Sequence, residues 1–175
     1  MREDSAPGSD FLAQVCREWE AATEPAARAG VRVVQLRFGV ILSPAGGALK
    51  QMLLPFKLGA GGRIGSGEQY MSWIALDDAI GAIHHALATD SLKGPANGVA
   101  PTPVTNAEFT RTLARVLSRP ALAPMPAFAA RLAFGEMADA LLLSSARVIP
   151  ARLQASGYHF RHPDLEGALR HLLGR

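Results

Sequence analysis

The sequence predicts an α/β fold with a helical C-terminal tail. Three observations predict it. The β-branched, apolar run from Val31 to Leu42 follows directly on a helical segment, as in a parallel sheet covered by helices. Helix-like and strand-like stretches keep alternating up to residue 118. Beyond Arg119 the pattern changes: Pro120, Pro124 and Pro126 punctuate an alanine-rich link, and only helical periodicity follows. The expected division is therefore 1–118, with α/β character, and 119–175, a helical domain.

The first helix should start at Ser9 or Asp10, after Pro7 and Gly8. Phe11, Leu12, Val15, Cys16 and Trp19 recur at helical spacing and should form its buried face, which makes Cys16 a small core hydrophobe. Pro25 should end or restart the helix, because proline loses a backbone donor and clashes with the preceding turn. Gly30 closes the segment. The run 31–42 shows little alternation and reads as a strand buried on both faces.

Residues 45–58 read as a helix disturbed by Pro55, and Tyr70 to Leu76 as a short strand. Asp77 and Asp78 then open a helix whose Ile80, Ile83 and Leu87 share a face. Carboxylates at that point are expected to cap free N–H groups rather than to act as an acid–base pair. Gly94 to Ala100 is turn chemistry leading into a strand. Thr105 and Glu108 have capping-box spacing at the head of the next helix. Further helices are expected near 127–134, 136–146 and 163–173.

Composition narrows the function. With 49% apolar and 19% charged residues, the 175-residue chain can build a core. The net charge is +3, and the arginines are spread out with no basic run, so no nucleic-acid partner is expected. Cys16 is the single cysteine, which excludes an internal disulfide and a cysteine-based zinc cage. No run of about 18–20 apolar residues could span a membrane. The polar, acidic start is unlike a signal peptide, and a cytoplasmic location is the expectation.

The glycine-rich stretch from Leu58 to Gly67 matches neither the dinucleotide fingerprint nor a Walker sequence, and it reads as a mobile loop or hairpin. No Gly-x-Ser-x-Gly elbow occurs. The five histidines show no metal-ligand spacing; His84 and His85 are adjacent on a helix and point about 100° apart. The reading of the residues therefore assigns no catalytic residue and no metal.

The chain nonetheless resembles a known family. The carrying segments include Asp10-Phe11-Leu12 through Arg17-Glu18-Trp19-Glu20, Leu36-Arg37-Phe38-Gly39-Val40-Ile41-Leu42, Met52-Leu53-Leu54-Pro55-Phe56 and Ile64-Gly65-Ser66-Gly67. They continue with Ser72-Trp73-Ile74-Ala75-Leu76-Asp77-Asp78, Thr105-Asn106-Ala107-Glu108-Phe109 and Val148-Ile149-Pro150. In this order they resemble the C-terminal portion of an extended short-chain dehydrogenase/reductase. The subfamily is that of NAD(P)-dependent nucleoside-diphosphate-sugar epimerases with an added helical C-terminal domain.

The resemblance implies a partial Rossmann-like parallel sheet with a mostly helical C-terminal substrate-side domain: 1–118 would be the C-terminal part of the Rossmann-like domain with substrate-side segments, and 119–175 the helical C-terminal domain. It also implies an oxidoreductase-like protein using NAD or NADP on a small molecule that the residues do not name. It places Arg37, Phe38, Gly39 and Val40 beside the nicotinamide, and Gln69, Met71 and Trp73 on the substrate side. It also implies missing parts. The family's glycine-rich phosphate turn has no counterpart here, so the isolated chain is expected to bind no cofactor and to be inactive. The family's Tyr-x-x-x-Lys pair falls on Phe11 and Val15, or on Leu12 and Cys16, none suited to acid–base work. Met71 stands where related enzymes carry a diphosphate-binding arginine. The alternative is a non-enzymatic binding or scaffold protein derived from the same fold. The strand at 31–42, lacking its usual neighbours, is expected to pair with a missing N-terminal half or to self-associate.

Overall fold

The computed structural model describes residues 1–135 and 138–175. In chain order the elements are α1 (Phe11–Ala21), α2 (Glu24–Arg28), β1 (Val34–Phe38), β2 (Val40–Leu42), α3 (Gly47–Lys57), β3 (Tyr70–Met71), β4 (Trp73–Ala75) and α4 (Leu76–Ala88). They are followed by β5 (Gly94–Gly98), β6 (Val104–Thr105), α5 (Asn106–Leu117), α6 (Ala127–Phe134), a π-helical segment (Ala138–Leu143), α7 (Ala151–Ala155) and α8 (Leu165–Leu173). The first two residues of the predicted 136–146 helix lie outside the described residues.

Three two-stranded ladders form. β1 runs parallel to β5, with Val34 opposite Gly94 and Phe38 opposite Gly98. β2 runs parallel to β4, with Val40 opposite Trp73. β3 and β6 pair antiparallel through Tyr70–Thr105 and Met71–Val104. The α3 crossover between β2 and β4 is the long connection that a parallel pair requires. The run 31–42 is thus not one doubly buried strand. It breaks at Gly39, each half has one ladder partner among the described residues, and Arg37 and Ile41 are exposed.

Two apolar clusters hold the elements together. The larger packs Leu42, Leu53, Trp73 and Phe109 against Leu113 and Leu169. The smaller joins Ala82, Leu92, Ala96 and Leu153, with Tyr158 and Phe160 against it. Residues beyond 119 contribute to both, through α8 in the first and α7 in the second. The glycine-rich segment is laid along the proline link: Ala123 N donates to Gly61 O (3.2 Å) and Met125 N to Arg63 O (2.9 Å). A Cβ on Gly62 would strike the Ala123 carbonyl, so glycine here serves close chain approach.

Several expected burial patterns are reversed. In α1 no residue is buried; Phe11 and Trp19 are 75% and 72% exposed, and Cys16 is exposed rather than in the core. In α4 the alanines 79, 82 and 86 face inward, while Ile80, Ile83 and Leu87 are exposed. Periodicity finds an amphipathic stripe but does not say which stripe the neighbours cover. Small residues let α4 lie close on β1 and β4. Pro55 is carried within α3 close to its end.

The helix caps divide similarly. Asp10 accepts from Ala13 N at 2.7 Å, and the Thr105–Glu108 capping box is formed. Asp78, by contrast, does not cap α4. Its carboxylate is fully buried and accepts from Arg161 N at 2.7 Å and His162 N at 2.9 Å. The Tyr158 hydroxyl donates to the Asp78 carbonyl at 2.8 Å and lies 3.3 Å from its carboxylate. Burial, and then the Asp78 charge, push the Tyr158 phenol above its ordinary value, so it stays a donor.

Replacing Asp78 with alanine leaves the Arg161 and His162 N–H groups without their acceptor. Asp78→Ala is expected to cost about 3–5 kcal/mol in urea denaturation. A loss below about 1 kcal/mol would show that these bonds do not hold the link to α4.

Candidate functional site

Of the residues singled out by the resemblance, Arg37, Phe38 and Gly39 lie at the carboxyl ends of β1 and β5, Val40 opens β2 opposite Trp73, Met71 ends β3 opposite Val104, and Gln69 stands just before β3. The chain leaves β1 at Phe38 and turns through Gly39 into β2. Gly39 N donates to Gly98 O at 3.2 Å, and Val40 N to Ser72 O at 2.8 Å. A Cβ on Gly39 would collide with the Ser72 carbonyl and lie 2.9 Å from Val99 Cγ1. The missing side chain therefore lets two ladders join. Phe38 packs its ring where a Cβ of Gly98 would be, 2.5 Å from its Cδ1.

Arg37 is engaged in an ion pair. Its Nε and Nη2 reach the two Glu20 carboxylate oxygens at 2.6 and 2.7 Å, and Nη1 donates to the Glu3 carbonyl at 3.1 Å. This hydrogen-bonded pairing holds Glu20 below the usual carboxylate range and raises Arg37 above its ordinary value. Gln35 Nε2 adds a bond to Thr23 Oγ1 at 2.8 Å. The polar groups of β1 thus fasten the end of α1.

The substrate-side residues are tied down to different degrees. Gln69 is buried, and its Nε2 donates to Ile64 O at 2.9 Å and Leu142 O at 3.0 Å. Met71 is half-buried, with its sulfur 3.6 Å from Asn106 Nδ2. Trp73 is fully buried, with Nε1 donating to Thr102 O at 3.1 Å; in this chain its indole is a core side chain. Phe38, Val40 and Met71 are half-buried, the latter two packed against the larger apolar cluster.

Phe38 and Val40 offer apolar surface for a planar ring, and the Gly39 and Val40 N–H groups are already paired. No glycine-rich phosphate turn stands among the described residues. An open groove of about 770 Å³, lined by Thr23, Arg32, Asp90 and Lys93, lies at the opposite, amino-terminal ends of β1 and β5.

Sequence reasoning missed three features. Ser72 is a junction: its hydroxyl donates to Ala146 O at 2.6 Å and accepts from Val148 N at 3.0 Å. The buried Glu3 carboxylate accepts from Asn97 N and Arg152 N, each at 3.1 Å. Asp77, His162 and His171 converge although no short spacing links them. All three depend on partners far away in sequence, so no local pattern could reveal them.

Two tests follow from this geometry. Gly39→Ala is expected to cost about 1–3 kcal/mol in thermal or urea unfolding, because the Ser72 backbone must move; an unchanged midpoint would contradict the close approach. Glu20 has a lowered pKa in the folded chain, so its stabilisation is present above the ordinary glutamate value of about 4.3 and fades as pH falls through the lower folded value. Glu20→Gln should reduce stability at pH 7 by less than about 1 kcal/mol, since the pair is partly exposed. That difference should narrow in denaturation series carried below about pH 4.

Residues 125–172 match a family described as a domain of unknown function, DUF1731. The epimerase family protein Mb2239 of Mycobacterium bovis is 49% identical over 167 residues, 95% of this chain and 56% of that protein. The crystal structure of human epimerase family protein SDR39U1 (isoform 2) with NADPH superposes with a TM-score of 0.92 at 41% identity, covering 99% of this chain and 59% of that one. A nucleoside-diphosphate sugar epimerase from Corynebacterium glutamicum gives 0.78 at 39% identity, covering 99% of this chain and 33% of that one. The chain spans about half the length of the curated relatives it matches. Over nearly all of its own length, the chain is similar to epimerase family proteins and shares the Rossmann-like α/β fold of its structural neighbours.

Proposed function

We propose that this chain supplies one wall of the NAD(P)- and substrate-binding region of an epimerase-family oxidoreductase-like protein, and that by itself it neither holds the cofactor nor turns over substrate. The observation that carries the reading is the close likeness to the NADPH-bound human protein. Arg37, Phe38, Gly39 and Val40 would line the nicotinamide end, and Gln69 and Met71 the substrate side, with Trp73 packed behind them. When bound, the cofactor would supply hydride transfer to or from a small carbonyl or sugar carbon. This chain's residues would position the reactants. The protons would have to come from elsewhere, because neither Phe11 with Val15 nor Leu12 with Cys16 makes a Tyr-Lys type of acid–base pair.

That last feature favours a second reading, a non-enzymatic binding protein built on the same fold. Both readings need more polypeptide. Phe11 and Trp19 on α1, with Ile80 and Leu87 on α4, leave apolar stripes open, and the relatives are nearly twice as long as the span matched. The occupant we assign is the remaining part of an epimerase-family polypeptide, joined to this chain or supplied beside it.

Co-expression with the unmatched portion of the Mycobacterium bovis relative tests this. Copurification and saturable NADPH binding are expected for the pair, and neither for the chain alone. Micromolar NADPH binding by the isolated chain, or a stable pair that binds none, would overturn the proposal. Adding small carbonyl compounds to the NADPH-loaded pair separates the two readings: oxidation of NADPH supports the enzyme, and binding without turnover the scaffold.

A further inference from the structure

Asp77, His162 and His171 come from three parts of the chain and meet at one place. Asp77 stands in the first turn of α4, His162 in the link between α7 and α8, and His171 in the last turn of α8. One ligand-capable atom of each lies within 4.8 Å of the other two. His171 Nε2 is 2.9 Å from Asp77 Oδ2. The imidazoles of His162 and His171 stack, with ring centres 4.2 Å apart and planes inclined by 23°.

We propose that this trio binds a divalent transition-metal ion of the zinc type through two imidazole nitrogens and one carboxylate oxygen, with water completing the coordination. The donor set selects the class: imidazole suits zinc, nickel and copper, whereas calcium and magnesium prefer sites built wholly of oxygen. Tetrahedral zinc with bonds of about 2.0–2.1 Å spaces its ligand atoms about 3.3 Å apart. His171 Nε2 and Asp77 Oδ2 stand 2.9 Å apart and all three ligand atoms lie within 4.8 Å of one another, so side-chain rotation can reach that spacing, since His171 is exposed and the other two are half-buried.

The backbone that carries the ligands is already fixed. The buried Asp78 carboxylate accepts the main-chain N–H groups of Arg161 and His162, so the residue next to Asp77 holds His162 in place. Pro163 O accepts from Thr102 Oγ1 on the far side of the link. α8 is anchored through the buried Leu165, Ala168 and Leu169. A simple Asp77–His171 pair requires none of the His162 positioning; a three-ligand site does. The ion would clamp the end of α8 to the start of α4.

Untagged protein, stripped with a chelator and exchanged into clean buffer, is titrated with Zn²⁺ by calorimetry, and its melting temperature is followed. One saturating equivalent in the micromolar range and a raised melting temperature are expected. His162→Gln and His171→Gln should each weaken binding by at least about tenfold, whereas His84→Gln, which removes an exposed histidine outside the trio, should not. Co²⁺ loading gives an independent readout: visible bands of a low-coordinate nitrogen–oxygen site should appear and vanish in His171→Gln. Absence of saturable Zn²⁺ binding by the unsubstituted protein overturns the proposal. So does undiminished binding in both trio variants, each checked for native helicity by circular dichroism.

Discussion

The buried carboxylate of Asp78 is the interaction on which much of the architecture depends. A charge with no exposed surface is tolerable only when hydrogen bonds replace its water. Here two main-chain N–H groups do so, with the Tyr158 hydroxyl alongside. The contact joins residues more than eighty positions apart. It draws the 158–162 link onto α4, seats Tyr158 and Phe160 against the smaller cluster, and sets the direction in which the chain enters α8. Among the described residues, no buried side-chain nitrogen or oxygen lacks a partner, which shows how fully this polar interior is satisfied.

A second constraint is close backbone approach at the Gly39–Ser72 crossing. β1 and β5 end there, β2 and β4 begin beside it, and a single Cβ would force them apart. The same crossing brings Phe38, Val40 and Met71 near one another. The candidate site and the joint between ladders are therefore the same piece of structure, and a residue that serves one is constrained by the other. Arg37 illustrates the point: it lies at the place the resemblance assigns to the cofactor, yet its guanidinium is engaged in holding α1.

Local chemistry was legible wherever its cause was local. The Asp10 cap, the Thr105–Glu108 capping box, the break near Pro25 and the parallel α/β character all follow from residues within a few positions of one another. The seven residues of the candidate site were reached through resemblance, because their spacing alone carries no chemical signature. Burial was less legible. The apolar stripes of α1 and α4 are real, but Ile80, Ile83, Leu87, Phe11 and Trp19 face outward, because a hydrophobic stripe is buried only where something is present to cover it.

By itself, then, the sequence determined the class of fold and the capped helix starts at Asp10 and Thr105, since each depends on residue type at short range. Tertiary structure alone decided that Asp78 would bind a distant loop instead of capping its own helix. It alone turned α4 onto its alanine face, enclosed Trp73, and gathered Asp77, His162 and His171 on one surface. Those outcomes depend on which distant segments arrive beside a given side chain, and packing in three dimensions sets that choice.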